Sequence, residues 1–246
     1  MWFDFSYSKQ DWGWSKGKGA KDWDSETLLK MVRETQPGII VNDRLEIGGD
    51  VKTPEQYQPR GWLQVDGKPV LWEACQTLNG SWGYDRDNLD WKPVDMLVRM
   101  LVDTVSKGGN LLLNVGPTAR GEFDPKAIDR LRGIGKWMRQ HGRAIYGCTA
   151  SEFTPPPDCR YTQNDKRLYL HLFAWPFGHV HLDGLASRVE YAQLLNDGSE
   201  VKIVPIDPHQ QAQNTTMGGA GADTLTLRLP VQKPDVVVPV IELFLK

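Results

Sequence analysis

The chain has 246 residues, with 29 Lys+Arg against 31 Asp+Glu and a formal net charge of −2. That near-balance excludes a nucleic-acid or anionic-membrane surface as the main partner. A content of 40% hydrophobic and 24% charged residues excludes a disordered or collagen-like chain, and no run approaches the roughly 18 apolar residues of a membrane helix. The chain opens on Met1-Trp2-Phe3-Asp4 with no basic segment and no long apolar stretch, so no secretory signal is expected in it. Ser25 to Thr35 reads as a helix with Ser25 as N-cap and Leu28, Leu29 and Val32 on one face, stopped by Pro37-Gly38. Ile39-Ile40-Val41 is a short β-branched run that predicts a buried strand, and Pro69 to Trp72 predicts a weaker one. Pro93 to Lys107 predicts a helix through Met96, Leu97, Met100, Leu101 and Val105, ended by Gly108-Gly109. Leu111-Leu112-Leu113 predicts another strand, and Pro125 to His141 a further helix.

This alternation of strand and helix is the signature of a parallel α/β architecture, and it predicts a domain over 1–150. Beyond Thr154-Pro-Pro-Pro157 the pattern changes to β-rich segments: Arg167–Ala174, Arg188–Leu195, Glu200–Ile206, Asp223–Leu229 and Val236–Leu245. Asn196-Asp197-Gly198 reads as a hairpin turn, and Gln210 to Gly221 as a polar loop. A small antiparallel β-sandwich over 151–246 is expected. The cysteines Cys75, Cys148 and Cys159 form neither a disulfide framework nor a Cys-x-x-Cys pair. Ten tryptophans suggest flat apolar platforms such as sugar-binding sites use, although a large core uses them too.

Each predicted strand of the first part ends in polar residues: Asp4, then Asn42-Asp43-Arg44, then Glu73, then Asn114. In a (β/α) barrel the active site is built at those strand ends. Asp4, between Phe3 and Phe5, is a carboxylate in apolar company, which is costly unless paired or used. Glu55 has a plain alternative, since Thr53, Pro54 and Gln56 read as the capped start of a helix. Glu73 is the other acid available, and Arg44 either contacts substrate or pairs with a neighbouring carboxylate. Ser15 to Lys21 lacks the Gly-Lys-Ser/Thr ending of a phosphate loop, and the acidic residues around it dilute its lysines. His179-Val180-His181-Leu182-Asp183 could hold a metal but fits a surface strand better.

Taken together, Met1-Trp2-Phe3-Asp4, Val41-Asn42-Asp43-Arg44, Thr53-Pro54-Glu55-Gln56, Trp72-Glu73-Ala74-Cys75-Gln76-Thr77, Ser81-Trp82-Gly83-Tyr84 and the run from Leu101 to Pro117 resemble the α-L-fucosidases of glycoside hydrolase family 29. The last run is the most specific, and the strong motifs cover about residues 1 to 150. The resemblance implies a retaining glycosidase that uses no metal or other cofactor and removes terminal fucose from glycoconjugates. It places the nucleophile on Asp4, although Phe5 stands where the family usually has glycine, and it places the acid/base on Glu55, with Glu73 as fallback. Arg44, Trp82, Trp2 and Glu73 become substrate-binding residues, with Trp82 against the fucose methyl. A secreted, periplasmic or lysosomal setting is implied for the family.

The family barrel has eight strands, and only four βα units are counted here. The family's His-His-Asp sequence is also missing, since the five histidines are His141, His171, His179, His181 and His209. The reading is therefore the C-terminal half of the barrel plus a sandwich, a truncated fragment with weak or no activity alone. A non-catalytic carbohydrate-binding module and a related barrel glycosidase with another sugar specificity are the competing readings.

Overall fold

A computed structural model describes residues 1–4, 6–205 and 221–246, so Phe5, Ile206, His209 and most of the polar loop expected over Gln210–Gly221 lie outside the described residues. The chain divides into two compact units. One comprises Met1–Gln76 with Gly109–Asn114, and the other Thr77–Gly108 with Val115–Lys246.

The first unit is a set of short extended segments lying side by side, joined by loops and the helices α1 (Ala20–Trp23) and α2 (Ser25–Thr35). Residues 1–3 lie against 40–42: Asn42 N–H donates to the Met1 carbonyl (3.2 Å), while its side chain exchanges hydrogen bonds with the Phe3 backbone (3.0 and 2.8 Å). Parallel bridges then join Asn42 to Val51, Lys52 to Trp72 and Glu55 to Cys75. Strand β3 (Glu73–Thr77) pairs with β4 (Asn110–Asn114); an exposed hairpin of β1 (Gln64–Val65) and β2 (Lys68–Pro69) precedes it. Val41, Leu45, Trp72 and Ala74 form the buried floor. A Cβ on Gly109 would run into the Trp72 indole, which is why the run before β4 needs glycine there.

Several expectations are corrected in this unit. Ser25 is the buried first residue of α2, and the cap position belongs to Asp24 in a left-handed conformation (φ 48°). Ile39–Val41 forms no regular strand, because the Val41 N–H donates to the Asp50 carboxylate (2.7 Å) rather than to a neighbouring backbone. Arg33 of α2 holds the same carboxylate at 2.5 Å and keeps its pKa below the usual range by that hydrogen bond. The strand expected at Pro69–Trp72 lies later, so Glu73 begins β3 instead of following a strand. No helix starts at Thr53; residues 52–55 are extended beside 72–75, and Gln56 turns the chain with φ 59°.

In the second unit, α3 (Val94–Val105) and α4 (Pro125–His141) match their expected spans closely. Asp124 caps α4 by accepting the Lys126 N–H (2.7 Å), with Pro125 in the first turn. The buried side of α3 includes Leu97, Met100 and Val105 of the predicted stripe, with Leu101 partly buried, and extends to Val98 and Val102, while Met96 is exposed. Two antiparallel sheets follow. One orders β5 (Cys159–Asn164), β6 (Arg167–Leu172), β11 (Val240–Leu245) and β8 (Val189–Leu194) as 5-6-11-8. The other orders β7 (His179–Leu182), β10 (Leu225–Arg228) and β9 (Lys202–Val204) as 7-10-9. Residues from both sheets share one core, including Leu168, Leu170, Leu182, Leu227 and Leu243. The opposite face of β6 and β11, through Tyr169 and Val240, packs on α3 and α4. β6 is therefore buried on both sides, and its run of apolar residues does not alternate.

The predicted hairpin turn forms, with Gly198 at φ 74° and Leu194 N–H donating to the Ser199 carbonyl (2.8 Å). Its second arm then leaves for the other sheet, where β9 pairs with β10. β5 has no counterpart in the sequence reading, because Arg160, Thr162 and Gln163 interrupt its apolar pattern.

Candidate active site

Because the extended segments of the first unit lie side by side, their polar residues gather around Arg44. The Arg44 guanidinium sits in a fixed frame: Nε donates to Thr53 Oγ1 (3.0 Å) and Nη2 to the Thr53 carbonyl (3.3 Å). Thr53 Oγ1 in turn donates to Asp43 Oδ1 (2.7 Å), and Lys52 pairs with the other Asp43 oxygen at 3.4 Å. So held, Nη1 contacts two carboxylates at once, Asp4 Oδ1 at 3.2 Å and Glu55 Oε2 at 2.5 Å. Sharing one nitrogen caps the separation of these two oxygens at about 6 Å.

The electrostatics follow from this crowding. Burial lowers the Arg44 pKa, but the hydrogen bond and charge of Glu55, and then Asp4, outweigh it and raise the value overall. Tyr7 donates its hydroxyl to Asp4 Oδ1 (3.3 Å), and burial together with the Asp4 and Glu55 charges raises its pKa. Cys75, opposite Glu55, is pushed up by burial and by the surrounding carboxylates, although the Arg44 charge opposes this; it is a thiol rather than a nucleophilic thiolate.

Trp2 is fixed at both ends of its ring system. Its indole N–H donates to Glu73 Oε1 (2.8 Å), and the Arg44 guanidinium lies over its face at 5.0 Å. The structure thus brings together Asp4, Glu55, Arg44, Trp2 and Glu73 from four segments of the chain. Trp82 belongs to the second unit, exposed in a turn where Ser81 Oγ donates to the Gly83 carbonyl (2.9 Å). Tyr7 and Thr53 were missed as site residues. Tyr7 follows Asp4 by three positions, and Thr53 sits in a segment that reads equally well as a helix start.

The features set aside from the sequence are local structures. Ser15 to Lys21 runs from a tight turn into α1, with Lys16 bridged to Asp11. His179 and His181 point to the open side of β7, while Val180 and Leu182 point inward.

A family model described as alpha-L-fucosidase matches residues 1–143. Human plasma alpha-L-fucosidase is 32% identical over 232 residues, covering 80% of this chain and 49% of that protein. The structure of alpha-L-fucosidase isoenzyme 1 from Paenibacillus thiaminolyticus is 40% identical with a TM-score of 0.86, covering 100% of this chain and 57% of that one. A GH29 alpha-L-fucosidase from Bacteroides thetaiotaomicron, solved as a trapped covalent intermediate with 2-fluoro-fucosyl fluoride, is 25% identical with a TM-score of 0.78, covering 100% of this chain and 56% of that one. The matched region spans less than half the length of the curated relatives, 49% of human plasma alpha-L-fucosidase and 38% of that from Pongo abelii. The match over more than half its residues, on the segments that carry the Arg44 cluster, makes the chain a member of the α-L-fucosidase family.

Proposed function

We propose that the chain carries the two catalytic carboxylates of an α-L-fucosidase that removes terminal α-L-fucosyl residues from glycoconjugates. The observation that carries this is the convergence of Asp4 and Glu55 on one Arg44 nitrogen. An oxygen–oxygen distance below about 6 Å supports a retaining double displacement, because an inverting pair leaves room for a water between its carboxylates. Asp4 attacks the anomeric carbon and forms a glycosyl ester as Glu55 passes a proton to the leaving oxygen. Glu55 then takes a proton from water, whose oxygen displaces Asp4. Since Glu55 Oε2 accepts from Arg44 here, the proton it delivers sits on the other oxygen, or the pair opens when substrate enters. Trp2 offers an apolar wall beside Asp4, and Trp82 is proposed to meet the fucose methyl; such a wall discriminates a methyl from a hydroxyl by about 1–3 kcal/mol.

In the same reading, residues 1–150 form part of a (β/α) barrel and 151–246 a β-sandwich. The parallel bridges around residues 42–75 and the two antiparallel sheets sharing one core support it. The chain alone is proposed to turn over slowly or not at all, because it spans only part of its relatives' length and the His-His-Asp sequence that the family resemblance implies has no counterpart in it.

The test is intact-mass analysis after incubation with 2-fluoro-fucosyl fluoride, alongside turnover of an aryl α-L-fucoside and galactoside. With this chain set in a full-length family context, a single 2-fluorofucosyl adduct mapped to Asp4 and absent in Asp4→Asn is expected, with fucoside favoured over galactoside. Glu55→Gln should slow the aryl fucoside about 10²-fold or more but fucosyl fluoride far less, since fluoride needs little acid assistance. An adduct on another residue removes Asp4 from the role, and sugar binding with no adduct favours a non-catalytic module. Turnover of the chain within about tenfold of an intact family enzyme would show that the other barrel half is dispensable.

A further inference from the structure

Lys16-Gly17-Lys18-Gly19 fails as a phosphate loop, yet both of its glycines are sterically required. A Cβ on Gly17 would fall on the Tyr7 carbonyl, and one on Gly19 would lie 2.6 Å from both the Ser8 Cβ and Glu46 Oε2. The backbone runs this close because it holds the Tyr7–Ser8 turn. Tyr7 N–H donates to the Lys18 carbonyl (2.7 Å), and Gly17 N–H donates to the Gln10 carbonyl (2.7 Å). From the other side, Glu46 Oε1 accepts the Ser8 N–H (3.0 Å) and the Ser8 hydroxyl (2.9 Å). Glu46 does so from φ 58°, a backbone conformation that is costly for a residue with a side chain. It stands two residues beyond Arg44, so the loop that carries Arg44 also carries the clasp on Ser8.

The consequence falls on Asp4. Its Oδ1 accepts from two donors, Arg44 Nη1 at 3.2 Å and the Tyr7 hydroxyl at 3.3 Å, and both donors are mounted on this one frame. The Tyr7 contact is longer than an ordinary hydroxyl–carboxylate bond, as catalytic contacts often are before substrate tightens them. A carboxylate oxygen that already receives two hydrogen bonds is the weaker nucleophile of its pair, so the two oxygens of Asp4 have different tasks.

We propose that Tyr7 is a positioning residue for the nucleophile: with Arg44 it holds Asp4 Oδ1, turns Oδ2 toward the anomeric carbon, and is itself aimed by the Gly17–Gly19 cradle and the Glu46 clasp. This rests on the proposed fucosidase reading and gives each Asp4 oxygen its part in it. In the first step Oδ2 bonds the anomeric carbon as the glycosidic bond breaks. The electron pair of that bond goes to the leaving oxygen, which takes the Glu55 proton, and Oδ1 becomes the ester carbonyl oxygen. In the second step the water oxygen bonds the anomeric carbon and its proton goes to Glu55, while the electron pair of the breaking bond to Oδ2 returns to the carboxylate. Negative charge then reappears on Asp4, where Tyr7 and Arg44 receive it, so the hydroxyl contributes most to this second step. Tyr7 keeps its proton throughout, since burial and the Asp4 and Glu55 charges raise its pKa.

Two measurements test the role. In the chain itself, Tyr7 is titrated by NMR with ring-labelled tyrosine, its signal assigned by Tyr7→Phe. Asp4→Asn removes the neighbouring charge and is expected to lower the Tyr7 midpoint. With the chain set in a full-length family context, the adduct is formed with 2-fluoro-fucosyl fluoride and its hydrolysis is timed by intact mass. Tyr7→Phe keeps the ring and is expected to slow that hydrolysis about tenfold or more, while the inhibition constant of L-fucose changes less than about twofold. Glu46→Ala should slow it too, and should add nothing in the Tyr7→Phe background. A Tyr7 midpoint unmoved by Asp4→Asn, or an adduct that hydrolyses at the parent rate in Tyr7→Phe, overturns the role, and the catalytic reading survives if the adduct maps to Asp4. L-fucose binding lost in parallel with the rate also overturns it, because Tyr7 would then be structural. Additive losses from Glu46→Ala and Tyr7→Phe overturn the cradle. No adduct on Asp4 with Tyr7 intact removes the fucosidase reading itself.

Discussion

The molecule holds two polar clusters that solve opposite problems. Around Arg44, charged groups remain partly open: the Asp4 side chain is 49% exposed and that of Glu55 34%. Between α4 and β6, polar groups are sealed in and neutral. His171 Nε2 and Thr162 Oγ1 share a hydrogen bond of 2.8 Å, Thr162 donates to the Ala144 carbonyl, and His141 stacks on Trp137 at 4.8 Å. Burial drives the His171 pKa down to about 3 and lowers that of His141 as well. A strongly displaced titration therefore marks a structural site in this chain, while the candidate catalytic pair is recognised by geometry. In this reading the charges meant to react keep a path to substrate, and the histidines sealed behind β6 avoid charge.

The largest test of this contrast is Asp4→Asn, which in a full-length family context should lower kcat/KM on an aryl fucoside by about 10³-fold or more, while in the chain itself it leaves the urea midpoint nearly unchanged. A large loss of stability instead would make the Arg44 cluster structural, like its counterpart. Arg44→Met comes next. Removing the shared cation leaves two carboxylates facing each other, and a loss of about 10²-fold in kcat/KM is expected from steady-state kinetics.

Stability measurements sharpen the other side. Gly109→Ala drives a methyl into Trp72 and should cost about 1–3 kcal/mol in urea unfolding, with the fluorescence of Trp72 altered. For His171 the sign is fixed by its lowered folded pKa. As pH falls below the unfolded value near 6.5, the unfolded chain binds a proton that the folded chain refuses, so stability declines until the folded value is reached. Between pH 7 and 5 this single group should remove about 2 kcal/mol, measured by urea titration at each pH. His171→Gln should flatten that slope, and an unchanged slope would place the acid-sensitive group elsewhere.

Elements with local causes were legible in the sequence. The α4 span follows from Asp124, Pro125 and the apolar spacing, and the turn at Gly198 from Asn-Asp-Gly. The candidate site was legible as a set of strand-end polar residues, but its organisation was not. That Thr53 frames Arg44, rather than capping a helix, depends on Lys52 and Glu55 pairing with residues about twenty positions later. The failure of Ile39–Val41 to become a regular strand likewise comes from a carboxylate at position 50, and a β-branched run carries no sign of it. The double-sided burial of β6 hid its register from any alternation pattern.

That carboxylate has one more effect. Asp50 ties α2, through Arg33, to the backbone immediately before Asn42-Asp43-Arg44, and both partners are partly open to solvent. The proposed ligand, fucose, is uncharged, so added electrolyte has nothing to shield on it. Any sensitivity of turnover to ionic strength would register the loosening of these internal clasps, making salt a probe of how firmly the arginine is aimed.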